Sequence, residues 1–251
     1  MGETMRIEEY LAQGGVLTSP ANVPARYRGE VMRIMASFVD SELAASAGFA
    51  EAINFAPGIE ARIAASRITL EKADHAKRVL AVMGGFGTDM ARYEAQHDWA
   101  ARLPREAALG PARTGGDMRL SVFHYPLTGW ADAVAMTVLM GLATGVQMTE
   151  LTRVSYAPLA EVFREIAPRE ARHAELGIEG LTRVAATEAG RAEARDAIAY
   201  WEPLVAASFG AAGSARYAML ARMGLRHVPN AVLLGEWRAQ LAAHLMPMGL
   251  E

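Results

Sequence analysis

The chain has 251 residues and a formal net charge of -3, so it offers no strong field for gripping nucleic acid or an anionic membrane surface. It contains no cysteine, which excludes disulfides, thiolate metal sites and cysteine nucleophiles. Apolar residues make up 52% of the chain and aromatics only 7%, so the core must be built from Ala, Leu, Val, Ile and 14 Met, which favours helices over strands.

The segment Met1 to Tyr10 carries early acids and no long apolar run, so no secretory signal is read there and a cytoplasmic address is expected. Gly14 to Pro24 is turn-rich. From Arg28 to Phe55 apolar residues recur at spacings of three to five, which predicts a long helix ended by Pro57 and Gly58. A second long helix is predicted from Ile59 to Met83. Gly84-Gly85-Phe86-Gly87 follows that helix and opens none from a strand, so it reads as a helix stop, not a phosphate loop. A shorter helix over Thr88 to Arg102 and a Pro- and Gly-rich loop from Pro104 to Gly116 come next. Trp130 to Tyr156 then reads as a helix, with Pro158 kinking or ending it. Its stretch Ala131 to Met148 is at the lower edge of the roughly 18 to 20 apolar residues a membrane span requires and is interrupted by glycines, so a helix buried among neighbours is expected and no membrane. Leu159 to Ala185 is the fourth long helix, with a bend expected at Pro168. Shorter helices are expected at Arg191 to Phe209, Ser214 to Met223 and Asn230 to Leu245.

Two long helices, a long connection and two more long helices are the layout of an all-α, ferritin-like four-helix bundle with additional shorter helices. The expected organisation is one domain over 1–251, with a core at about 28–186 and C-terminal helices at 190–245.

In carboxylate proteins of that layout, two helices each give a Glu and two others each give Glu-x-x-His, all pointing inward at a metal pair. The i, i+3 spacing puts both side chains on one helix face, where both can reach one ion. Here the fourth long helix supplies an intact Glu170-Ala171-Arg172-His173. The second supplies Glu71-Lys72-Ala73-Asp74-His75, where the residue three before the histidine is Lys72. The first supplies Glu42. By residue type alone, these side chains form either a buried metal-type site or solvated faces of helices. Met136, Met140 and Met148 read as core filler. His97, His124, His227 and His244 stand at no metal spacing and are expected at the surface or as caps. Arg153, Arg164, Arg169 and Arg172 read as solvated helix faces before contacts to an acyl-CoA or a partner.

Several short motifs agree in order and spacing with a known family. Phe123-His124-Tyr125-Pro126, Trp130-Ala131-Asp132, Ser155-Tyr156-Ala157-Pro158 and Glu170-x-x-His173, with Ser41-Glu42 and Ala73-Asp74-His75 upstream, resemble the catalytic oxygenase subunit of phenylacetyl-CoA epoxidase over roughly residues 8–205. The resemblance implies a di-iron oxygenase component of aromatic acyl-CoA catabolism, working on an acyl-CoA with a separate reductase, and a homodimer or hetero-oligomer with a related subunit. It also implies a six-ligand site, of which Glu42, His75, Glu170 and His173 match. Two positions depart: a ligand Glu is replaced by Lys72, and the lone carboxylate of the third long helix falls at Gly141.

An ammonium beside a dication costs several kcal/mol at any plausible effective dielectric. The favoured expectation is therefore a metal-free core in which Lys72 is the counter-ion of Glu42 and Glu170. One iron, with Lys72 swung away or Glu71 substituting beside His75, and two irons are the alternatives. A non-catalytic partner subunit then stands beside the oxygenase as a reading. A third is an enzyme using Lys72 with Glu42 or Glu170 as acid and base.

Overall fold

The computed structural model describes residues 7–109 and 115–251. The start of the Met1 to Tyr10 segment and the middle of the Pro104 to Gly116 loop therefore lie outside the described residues. Nine α-helices are described: α1 (Ile7–Ala12), α2 (Ala25–Ala52), α3 (Ile59–Gly85), α4 (Met90–Glu94), α5 (Trp130–Leu151), α6 (Ala157–Val184), α7 (Glu188–Ala206), α8 (Ala215–Arg222) and α9 (Asn230–Leu245). Among the described residues no strand forms, and one isolated bridge joins Leu17 to Tyr156.

The helix pairs fix the topology. Arg28 donates to the Phe86 carbonyl, Lys72 meets Glu42, and Ser46 donates to the Thr69 carbonyl, so α2 and α3 run antiparallel along their full length. Pairing of Glu71 with His173 and Asp74 with Arg169 sets α6 antiparallel to α3. Gly141 lies against Ala174, Gly177 against Thr137 and Gly180 against Val134, so α5 is antiparallel to α6 and hence parallel to α3. A connection from the end of α3 to the start of α5 must then cross the bundle's length, which is the all-α ferritin-like arrangement.

Small residues let α5 and α6 approach closely. A Cβ at Gly177 would stand 2.9 Å from the Thr137 side chain and one at Gly180 2.8 Å from Val134. On its other sides α5 is covered by α7 and α9, whose Trp201 and Trp237 are fully buried and donate to Asp132 and the Leu139 carbonyl. This helix is long and apolar enough to cross a membrane, but 78% of its most apolar stretch is buried within the bundle, as expected for a core helix. Met136 and Met148 are buried in separate apolar clusters, and Met140 packs against the one that holds Met136.

Two boundaries differ from the sequence expectation. The helix predicted over Thr88 to Arg102 stops at Glu94, because local side chains take over the backbone partners beyond it. Asp98 accepts the Ala100 amide, the Trp99 indole donates to the Glu94 carbonyl, and Arg102 donates to the carbonyls of Trp99 and Ala101. The helix predicted to reach Tyr156 ends at Leu151. The amide of Ser155 bonds the Gly224 carbonyl and that of Ala157 bonds Leu17, and Pro158 then sits in the first turn of α6, where its missing amide costs nothing. Pro168 stands inside α6, and the helix continues through it.

The crossing connection is strapped onto α2 beside Glu42. Asp40, fully buried, accepts the Tyr93 hydroxyl and the Met118 amide, each at 2.7 Å, while Ser41 accepts the Leu120 amide at 3.0 Å. Among the described residues three apolar clusters form: one around α5, α7 and α9, one among α2, α3, the first half of α6 and α8, and a small one of Phe49, Ala52, Ile68 and Ala133.

Candidate functional site

Five charged or titratable side chains from three helices share one buried layer. Glu42 comes from α2, Lys72 and His75 from α3, and Glu170 and His173 from α6, and each is at most 7% exposed. The i, i+3 spacings of Lys72-His75 and Glu170-His173 bring all four onto the inward faces of α3 and α6. The Lys72 ammonium lies 3.0 Å from Glu42 Oε1 and 3.1 and 3.2 Å from the two oxygens of Glu170. His75 Nδ1 lies 2.8 Å from Glu170 Oε1 and 3.2 Å from Glu42 Oε2. All three donors of the ammonium are therefore used, and both carboxylates are bridged twice.

The charges stabilise one another. Burial would lower the lysine pKa, but the negative charges of Glu170 and Glu42 outweigh it and hold the ammonium above the usual lysine range. Burial would raise Glu170, but the charge of Lys72, with His173 and His75, holds its carboxyl well below the usual carboxylate range. For His75 burial is again opposed, by hydrogen bonds to Glu170 and Glu42, and its pKa is raised.

His173 is turned differently from expectation. Its Nε2 pairs at 2.7 Å with Glu71, which is partly exposed, while its Nδ1 is 3.6 Å from Glu170 Oε2, beyond a hydrogen bond. Glu71 thus reaches His173 rather than the neighbouring His75. The two imidazoles stack with centroids 5.7 Å apart.

Glu42, His75 and Glu170 each place a donor atom within 4.8 Å of the other two, a group that can hold one metal ion by distance. The same carboxylate oxygens are engaged by the ammonium, so an ion there must displace or neutralise Lys72. A two-metal site fits worse. The third long helix brings Gly141, where a Cβ would stand 2.9 Å from both the Cα and Cβ of Ala174. No carboxylate enters at that position without moving the α6 backbone.

A cavity of about 310 Å³ opens beside Glu42, with apolar walls from Ile34, Phe38, Leu120, Phe123 and Met140. His97, His124, His227 and His244 are half-buried and stand outside the charged layer. Arg153 and Arg164 are exposed, and Arg169 and Arg172 are partly exposed in ion pairs with Asp74 and with Glu175 and Glu179.

Sequence reasoning assigned no role to Asp40, Asp132 or Glu150, all of which are buried and bonded to backbone amides. Asp132 is legible in hindsight: it stands three residues after Gly129, and its carboxylate returns to the Thr128 amide at the start of α5. Motif residues likewise hold the fold: Phe123, Tyr125 and Tyr156 are core, and Ser155 bonds the Tyr27 hydroxyl and the Met223 carbonyl.

A search among curated proteins returned no match. Residues 15–251 match the family described as phenylacetic acid catabolic protein, which takes in all four long helices, the charged layer and the C-terminal helices together. With nearly its whole length matched, and with the all-α bundle and its inward Glu and His residues in place, the chain belongs to the phenylacetic acid catabolic protein family.

Proposed function

We propose that the chain serves phenylacetic acid catabolism as a metal-free partner subunit of a di-iron oxygenase, with Lys72 carrying the positive charge that metal supplies in a catalytic relative. The observation behind this reading is the ammonium of Lys72 at 3.0 to 3.2 Å from three carboxylate oxygens of Glu42 and Glu170. A cation fixed on those oxygens opposes a dication by several kcal/mol at an effective dielectric of about 20. The closed space at Gly141 supports the same reading, because the carboxylate missing there has nowhere to stand. A cytoplasmic address and assembly with a related, metal-bearing subunit go with it. Metal analysis of protein produced in iron-replete cells is the test. The expected result is iron far below one atom per chain; one or more per chain overturns the proposal.

A second reading has its own support: an oxygenase component with a single ion on Glu42, His75 and Glu170, whose donor atoms lie within 4.8 Å of one another. Bound there, a redox metal would supply oxygen activation. The cavity beside Glu42 has the volume for an aryl group at the small end of ligand pockets, leaving a CoA moiety outside. This reading requires Lys72 to leave the carboxylates or lose its proton, and it predicts stoichiometric iron in the same measurement.

A further inference from the structure

The side-chain pairings that tie α3 to α6 stop at the charged layer. Arg78 meets Glu165, Asp74 meets Arg169 and Glu71 meets His173. Below Glu71 no side-chain bond among the described residues continues the seam, and a cavity of about 230 Å³ opens between the two helices, separate from the one beside Glu42. Its floor is apolar, made by Phe49, Ile68 and Ala133 of the small cluster, with Leu176 packed against them and Val134 alongside. The lining runs from Glu60 to Ile68 on α3, about 12 Å along the helix axis, so a volume of this size makes a long and narrow space.

The charges stand at the rim and leave positive charge unspent at one end. Glu179 is shared by Arg172, at 3.1 Å, and Arg183, at 3.8 Å. Arg172 uses only Nη1 for Glu179 and Glu175, so its Nε and Nη2 have no acceptor among the described residues. Arg67 is exposed and has no hydrogen bond or ion pair among them. With Glu71 opposite His173, antiparallel packing sets Arg67 about 7 Å from Arg172 along the seam, close enough for both guanidinium groups to reach one carboxylate. Glu60 stands about 10 Å further along α3, at the other end of the cavity. We infer that this cavity binds an unbranched aliphatic carboxylate, its head group held between Arg67 and Arg172 and its chain laid over Phe49, Ile68, Leu176 and Val134. A guanidinium presents paired donors that match a carboxylate. An extended chain of about ten carbons spans the 12 Å of the lining, whereas an aryl group would have to part α3 from α6. The site is independent of the metal content and of which functional reading holds.

Isothermal titration of the purified full chain with decanoate, kept below its micelle concentration, tests it. The expected result is a single saturable site per chain. Octanoate should bind about tenfold more weakly, because it buries two fewer methylenes. Decan-1-ol, which lacks the charge, should also bind about tenfold more weakly. Arg67→Met should weaken decanoate binding about tenfold, and Ala64→Phe, which puts a ring into the cavity, should abolish it, with circular dichroism checking that both variants fold. Absence of saturable binding to the wild-type chain overturns the inference. So does decan-1-ol or phenylacetate binding as tightly as decanoate. A decanoate site that folded Ala64→Phe leaves intact belongs to the cavity beside Glu42 and also overturns it.

Discussion

Replacing Lys72 by Met keeps the aliphatic stem and removes the charge, leaving Glu42 and Glu170 buried with one fewer counter-ion. Each carboxylate lies about 3 Å from the ammonium, and at an effective dielectric of about 20 each pair is worth roughly 5 kcal/mol gross. Most of that gross attraction is offset by the cost of burying the ions. Breaking such a pair by deleting one partner costs about 3 to 5 kcal/mol net. In a chain of this length that corresponds to a melting temperature lower by about 6 to 20 °C at pH 7. Thermal and urea unfolding of wild type and Lys72→Met measure it.

The pH dependence supplies a check that loss of packing would not mimic. The Glu170 pKa is depressed in the folded chain, so its contribution is present above the unfolded carboxyl pKa and lost as pH falls through the folded value. In Lys72→Met that depression shrinks, so the deficit relative to wild type should narrow as the pH is lowered through 5 toward 3. Equal stability of the two proteins at pH 7, or a deficit independent of pH, would refute the counter-ion role.

Further expectations follow from the same geometry. Gly141→Asp, the change that would supply the lone carboxylate of the third long helix by sequence logic, should fail to add metal and should cost at least about 1 to 3 kcal/mol, because its Cβ meets the α6 backbone; Gly141→Ala should show most of that loss in urea melts. Lys72→Glu adds a third buried carboxylate, so the apo variant should melt below wild type, and divalent cation in the buffer should restore part of the loss in a calorimeter. Stability should also decline above pH 6.5, since the raised pKa of His75 makes its contribution full below that value and lost as pH rises through the folded one; His75→Gln should flatten this limb. Trp201→Phe takes the indole donor from buried Asp132 and should cost about 1 to 3 kcal/mol, read by denaturant midpoint.

The long helices were legible because their apolar periodicity is strong, and Lys72, His75, Glu170 and His173 could be named from i, i+3 spacing on those helices, with Glu42 named from the Ser41-Glu42 pair on the first. The counter-ion arrangement was legible too, because a lysine in a ligand position has few other ways to be buried. What stayed hidden involved pairings between segments far apart in the chain. Nothing near Glu71 says that it turns to His173, 102 residues away, and not to its own helix neighbour. The early stop of α4 depends on Asp98, Trp99 and Arg102 competing for backbone groups, a balance invisible to periodicity. Asp40 was unreadable for the same reason, since its partners Tyr93 and Met118 come from the crossing connection.

Lys72 and Gly141, two separate departures in sequence, act as one in the structure. With the carboxylates of Glu42 and Glu170 facing one ammonium and one imidazole of raised pKa, the layer closes near electrical neutrality. On the proposed metal-free reading, a further carboxylate from α5 would add a buried negative charge with no cation to meet it, at a cost of several kcal/mol. A glycine there avoids that charge and also removes the side chain that would hold α5 away from α6, so Ala174 occupies the space. A six-ligand site therefore takes more than adding ligands one at a time: Lys72→Glu adds a charge the pocket cannot match, and Gly141→Asp adds a side chain it cannot hold. A two-metal site would need both changes together with a shift of the α6 backbone, because even glycine at position 174 would leave its Cα 2.9 Å from the new Cβ.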